Sequence, residues 1–459
     1  MTYPGPEGQW QSQQGQPYQP QQGYQPQQPQ YGYDPAQSGY YQQPSGAYPV
    51  QQPEPPRRSR KGLVIGLVVA LVVLLGGGGT WFALSQSGGG ADTPREAAMN
   101  LATSIGNGDV VGMLSTLAPA EAALFTDPVE EAVAELKRLQ ILQPNADPKA
   151  LSGVQIKTEN LTFDDAAAQQ VNDHLTITKL TGGTITINAD LTKVPFAKDF
   201  LDATMRGRQE QNQTETIDIA EHVRETGEPI RIATVQVDGS WYPSMLYTIA
   251  DYGLLEEKKP WPAQGIPANG AASSNDAVKE LAQAVLDADI RRVIELLPPD
   301  EMAVLHDVGP AILEEAGRAE PIGGKILDLT TTSSSVSGGT RATLASLEVE
   351  SPDGDRFSIR KDGDCYSATA QGRTERICAD QLPALFEQNA GRRGILPPEV
   401  VQVVQSLATG VFKQGIGVIT TEVEGKHYVS PIRSLTEQGM TVLRSLKPED
   451  IKALMNLAR

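Results

Sequence analysis

The sequence predicts an α+β fold. Two tandem domains, each with helices first and antiparallel sheet after, follow one transmembrane helix and a disordered tail. Three observations carry this: a tail nearly without aliphatic residues, an uncharged apolar span after residue 61, and a self-similarity at an offset of 180 residues. Together they divide the 459 residues into a tail (1–61), a membrane span (62–84), a short linker (85–91), a first domain (92–259), a second linker (260–271) and a second domain (272–459).

Residues 1–56 contain 17 Gln, 12 Pro and 8 Tyr, three acids (Glu7, Asp34, Glu54) and no Lys or Arg. So few aliphatic side chains cannot offset the entropy of ordering. Proline at this density favours polyproline II and blocks helix and sheet. The tail reads as a disordered spacer or as a docking segment for cytoplasmic partners. Arg57, Arg58, Arg60 and Lys61 then form a basic cluster, and Gly62 to Ala91 carries no charge. About 22 residues at roughly 1.5 Å each reach the roughly 30 Å of bilayer hydrocarbon. The basic cluster at the N-terminal end places that end in the cytoplasm, and Trp81 stands where an interfacial aromatic belongs. A cleaved signal peptide is disfavoured: the apolar run starts some 60 residues in, and no Ala-x-Ala site follows.

Beyond Ala91 stand 53 acids and 34 bases, a net charge of −19. So acidic a segment argues against nucleic acid and against anionic lipid, both of which need a basic face. Thr93–Asp127 falls on Ser273–Asp307 without a gap, with nine of 35 positions identical, among them Ala97/Ala277, Pro119/Pro299, Glu121/Glu301 and Asp127/Asp307. A second match, at an offset of 186, pairs Val237–Ser244 with Val423–Ser430. Two offsets so close across a whole domain point to tandem copies.

Each copy opens with an amphipathic helix (Ala97, Leu101, Ile105; Ala277, Leu281, Val285), apolar at spacing four. Asp109 and Asp289 are placed to cap a short second helix. Pro119 and Pro299 are expected to start a third, with Glu121 and Glu301 at its positive end. Alternation predicts strands at Val154–Phe163, His174–Lys179 and Thr184–Asp190, then at Lys325–Thr331, Arg341–Glu350 and Arg356–Lys361. Helical insertions follow (Phe196–Arg208; Asp380–Thr409). Each copy closes on a hairpin, Ile230–Val237 with Trp241–Tyr247 and Ile416–Val423 with His427–Ile432, turning at Asp238-Gly239 and Glu424-Gly425. Ser434 and Glu437 have capping-box spacing.

Helices followed by a curved antiparallel sheet, closing on an acid-Gly-x-aromatic-Tyr hairpin, resemble the NTF2-like (cystatin-like α+β) superfamily. That resemblance implies a cone whose open end holds a small ligand, with Tyr242, Ser244, Tyr428 and Ser430 on the closing hairpins as possible pocket wall. The layout also resembles actinobacterial single-pass envelope proteins with Pro/Gln/Tyr-rich tails, which implies an extracytoplasmic location.

No zinc-protease, P-loop, dinucleotide or nucleophile-elbow motif occurs. The four histidines are scattered, and His306 and His427 align with Thr126 and Trp241, so neither is shared by both copies. Asp353, Asp355, Asp362 and Asp364 do not have EF-hand spacing and read as two acidic turns. Cys365 and Cys378, alone in an oxidising compartment, predict a disulfide. The expectation is a non-enzymatic plasma-membrane protein, N-terminus inside and both domains outside, binding or scaffolding an envelope protein, glycan or lipid, with no cofactor and no metal. The alternative is a small-molecule-binding or hydrolytic pocket in one copy.

Overall fold

The computed structural model describes residues 90–106, 114–147, 153–190, 193–204, 212–317, 320–385 and 397–457. The tail, the Arg57–Lys61 cluster, the span 62–84 and Asp109 lie outside them. Among the described residues no helix is long and apolar enough to cross a membrane. The architecture is α+β, with two antiparallel sheets flanked by helices.

The first half runs α1 (Pro94–Gly106), α2 (Pro119–Thr126), α3 (Val129–Arg138), β1 (Val154–Phe163), β2 (Gln169–Gln170), β3 (Leu175–Asp190), α4 (Lys198–Thr204), β4 (Asn212–Asp218), α5 (Ile219–Thr226), β5 (Ile230–Val237), β6 (Ser240–Pro243) and α6 (Met245–Glu256). The second runs α7 (Ser274–Leu286), α8 (Ile290–Glu295), α9 (Ala303–Ala316), β7 (Lys325–Val336), β8 (Gly339–Glu350), β9 (Arg356–Asp362), β10 (Cys365–Ala370), β11 (Arg373–Cys378), α10 (Pro398–Gln414), β12 (Gly417–Val423), β13 (Lys426–Ser430), α11 (Pro431–Ser445) and α12 (Pro448–Leu457). The sheet orders are β1-β3-β5-β6, with β2 and β4 also on β3, and β11-β10-β9-β8-β12-β13, with β7 also on β8. Pairing for pairing, β1, β3, β4, β5 and β6 correspond to β7, β8, β9, β12 and β13. Among the described residues the β10–β11 hairpin has no counterpart in the first half.

Several elements depart from the sequence reading. The two strands expected at His174–Lys179 and Thr184–Asp190 are one 16-residue strand, Leu175–Asp190, with His174 just before it. Gly182-Gly183 is not a turn: at Gly183 (φ +107) the register against β1 slips, and a Cβ there would stand 2.8 Å from the Asn160 carbonyl oxygen. Glycine admits this bulge where a side chain would not. The closing strands stop at Pro243 and Ser430, and helices follow at once, so Tyr247 and Ile432 are helical. Helix α9 starts at Ala303, four residues after Pro299. Ser434 and Glu437 lie inside α11, whose cap is Ser430. The hairpin turns behave as read: Asp238-Gly239 and Glu424-Gly425 all have positive φ, which matches the twist of the strands they join. Asp289 caps α8 by accepting the Arg292 amide, at 3.0 Å.

The core is shared between the halves. Leu175, Ile177, Ala233 and Val235 from the first sheet pack with Ala118, Tyr247 and, from the second half, Val304. Leu124 packs with Leu297, Met302 and Ile432, and Leu254 with Val308 and Ala311. Full burial of each such Leu or Val contributes about 1.5–3 kcal/mol. The contacts are reciprocal: α3 lies against α11 and α9 lies against α6. Residues 260–271 connect the halves, but as a packed strap. Trp261 donates to Asp251 at 2.9 Å, and the buried Ile266 bonds the His306 carbonyl through its amide at 2.8 Å.

Candidate functional site

The polar centre of the molecule is built where each closing hairpin turns into its helix. Ser244, in extended backbone, caps α6 by accepting the Tyr247 amide, and Ser430 caps α11 by accepting that of Arg433. Each hydroxyl also donates to a buried glutamate: Ser244 to Glu121 Oε2 at 2.6 Å, Ser430 to Glu301 Oε2 at 2.5 Å. Glu121 is only 5% exposed. Its Oε1 accepts the Met245 and Leu246 amides at 2.7 and 3.0 Å, so it stabilises the start of α6 and not of its own helix. In the second half the residue matching Met245 is Pro431, which has no N–H to offer. There the Arg433 side chain bonds Glu301 Oε1 through Nε.

The cation makes the two glutamates differ. Glu121 forms no ion pair with any described residue; burial pushes its carboxyl up to about 7, against the lowering by Ser244, Leu246 and Met245. Burial also raises Glu301, opposed by Ser430 and by Arg433.

Two further matched residues tie half to half. Asp127 accepts from Arg433 at 2.7 Å. Asp307 accepts from the Tyr247 hydroxyl at 2.8 Å and pairs with His174 Nε2 at 2.8 Å. Tyr247 and Arg433 are themselves matched at the 186-residue offset. The hydrogen bond to Asp307 raises the pKa of His174. Around this centre Arg138 donates to the Leu443 and Leu446 carbonyls, and Arg444 joins Glu131 to Glu437.

Between the halves lies a cavity of about 260 Å³. Val235, Val237, Leu246 and Val304 supply apolar wall; Glu121, Asp300, Glu301 and His174 supply its ionisable groups. Beside Arg433 the seam leaves only about 30 Å³.

No known protein family, characterised protein or solved structure matches this chain.

The residues read from the sequence as pocket wall fall into two kinds. Tyr242 and Tyr428 clamp the chain entering each half: a Cβ at Gly90 would lie 2.8 Å from Tyr242 Cζ, and one at Gly270 would lie 2.6 Å from Tyr428 Cζ. The next residues, Ala91 and Ala271, bridge to Trp241 and His427. Ser244 lines the cavity but is a helix cap beyond the end of β6 and does not share a strand face with Tyr242. Ser430 is the equivalent cap. His306 is buried with both ring nitrogens against backbone carbonyls, Ile266 at 2.9 Å and Leu297 at 3.1 Å. His427 stands 4.0 Å from Glu422. Cys365 and Cys378 form a disulfide across directly opposed positions of β10 and β11. Among the described residues no group of three or more His, Cys, Asp or Glu could hold a metal.

Sequence reasoning passed over the seam itself. Glu121/Glu301 and Ser244/Ser430 are visible as matched columns, but as separate ones, a helix-start acid and a strand hydroxyl. Their pairing in both copies is the signal that could have joined them. Gly90-Ala91 against Gly270-Ala271 extends the match by the same offset of 180.

Proposed function

We propose that this chain is a membrane-anchored, non-catalytic extracytoplasmic protein whose two fused α+β halves bind or scaffold envelope partners. One observation carries the reading. The polar residues held in common by the halves are engaged in joining and capping: Glu121 with Ser244, Glu301 with Ser430, Asp127 with Arg433, Asp307 with Tyr247. Catalysis by general base or nucleophile needs such groups directed at a substrate. Ser244 and Ser430 instead have their hydroxyls engaged with a carboxylate and a helix amide. The matched strand pairings and matched seam residues support descent from one duplicated α+β domain, which we read as NTF2-like in type from its helices-first order and closing hairpin. The basic cluster and uncharged span support single-pass anchoring with the tail inside.

The location is tested by single cysteines at Ser12 and Ser273 labelled with an impermeant maleimide on intact cells. Labelling is expected at position 273 alone, and label at position 12 would reject it. Catalysis is tested by replacing His174, His306 and His427 singly by Ala and asking whether each variant complements deletion of the protein. A folded variant that fails would reinstate an active site.

The alternative, a small-molecule pocket, is favoured by the cavity between the halves, which is a property of the pair and not of one copy.

A further inference from the structure

Comparison of the two halves isolates one missing partner. Glu301 and Glu121 occupy matched positions, are both buried, and both accept from a cap serine. Glu301 also bonds the guanidinium of Arg433, and the adjoining seam is nearly filled. At the place of Arg433 the first half has Tyr247, whose hydroxyl is directed to Asp307. Among the described residues Glu121 is left with no cation, and it faces the 260 Å³ cavity. A carboxylate offers about four acceptor positions. Ser244, Met245 and Leu246 fill three of these on Glu121.

The cavity's chemistry has one sign. Among the described residues no Lys or Arg lines it; Asp300 joins Glu121, Glu301 is already held by Arg433, and the one potential cation in the wall, His174, is already paired with Asp307. Its remaining wall is apolar, from Val235, Val237, Leu246 and Val304. A desolvated carboxylate beside an apolar wall favours a ligand that brings a cation on an apolar body.

We propose that the cavity between the halves binds a small organic cation, an amidinium, guanidinium or ammonium group on a compact apolar body, with the cation at Glu121 in the role that Arg433 plays at Glu301. The site goes beyond the envelope reading and does not depend on it.

The test uses the full-length chain and two probes of nearly equal shape, benzamidine and the neutral benzamide, in calorimetric titrations. One benzamidine per chain is expected, bound at least tenfold more tightly than benzamide. Glu121→Gln, which keeps one oxygen to accept the Met245 and Leu246 amides but replaces the charge and the acceptor of the Ser244 hydroxyl by an NH2 donor, is expected to lose at least tenfold in benzamidine affinity. Val304→Trp, which fills the cavity from the other half, is expected to lose as much. Equal affinity for the two probes, no binding of benzamidine, or unchanged binding by Glu121→Gln overturns the proposal. If Glu121→Gln does not fold, undiminished binding by Val304→Trp overturns it instead.

Discussion

Glu121 is a carboxyl group held at a helix start in a site that disfavours its charge. Its pKa of about 7 in the folded chain lies above its ordinary value of 4.5. The unfolded chain therefore gives up this proton first as pH rises. Stability from this group is fully present below pH 4.5, falls between 4.5 and 7, and is absent above. The rise from 4.5 to about 7 corresponds to about 3 kcal/mol. Glu121→Gln removes the ionisation while preserving acceptors for Met245 and Leu246. Urea unfolding at pH 5 and pH 8 should show a smaller loss of stability in the variant than in the parent; parallel losses would show that Glu121 does not titrate in that window. Asp307 gives a second prediction. Its hydrogen bond raises the pKa of His174, so Asp307→Ala should lower it, as read from imidazole chemical shifts against pH. An unchanged midpoint would mean that the pair does not form in solution.

At the scale of elements, the β10–β11 hairpin is the main addition to the second half, and the Cys365–Cys378 bond closes it over a separation of 13 residues. Loop-closure entropy at that length corresponds to about 3 kcal/mol. Replacing both cysteines by Ser should therefore raise amide exchange in β10 and β11 and leave β5 and β6 unaltered; uniform acceleration would show that the hairpin is not an independent unit. Strands were the most legible elements. Val154–Phe163 and Ile230–Val237 were read to the residue, because two-residue alternation and Gly-centred turns are local signals. Alternation carries the expected strands on to Tyr247 and Ile432, which are helical, because a single capping serine, not a change of composition, marks where strand becomes helix. Ser434 and Glu437 had the right spacing for a cap, but Ser430, four residues earlier, was already in place. The seam left no local trace at all: Asp127 and Arg433 are 306 residues apart.

At the scale of the whole molecule, the crossed arrangement predicts that covalent continuity is dispensable once the parts have met. Coexpressed as two chains divided between Ala263 and Gln264, which are exposed, the halves should co-purify at equal stoichiometry. Either half made alone should have a lower Tm, because Leu124, Leu297 and Val304 would lose their partners. Independent folding of each with the parental Tm would reject a shared core. The Tyr247/Arg433 mismatch has a genetic meaning. Two identical subunits meeting about a symmetry axis receive every substitution twice, so a new charge on one side arrives on the other as well. Codons 247 and 433 belong to one reading frame and drift separately. One side could acquire a guanidinium and close while the other kept its hollow, a division of labour that a symmetric pair of identical chains has no means to inherit.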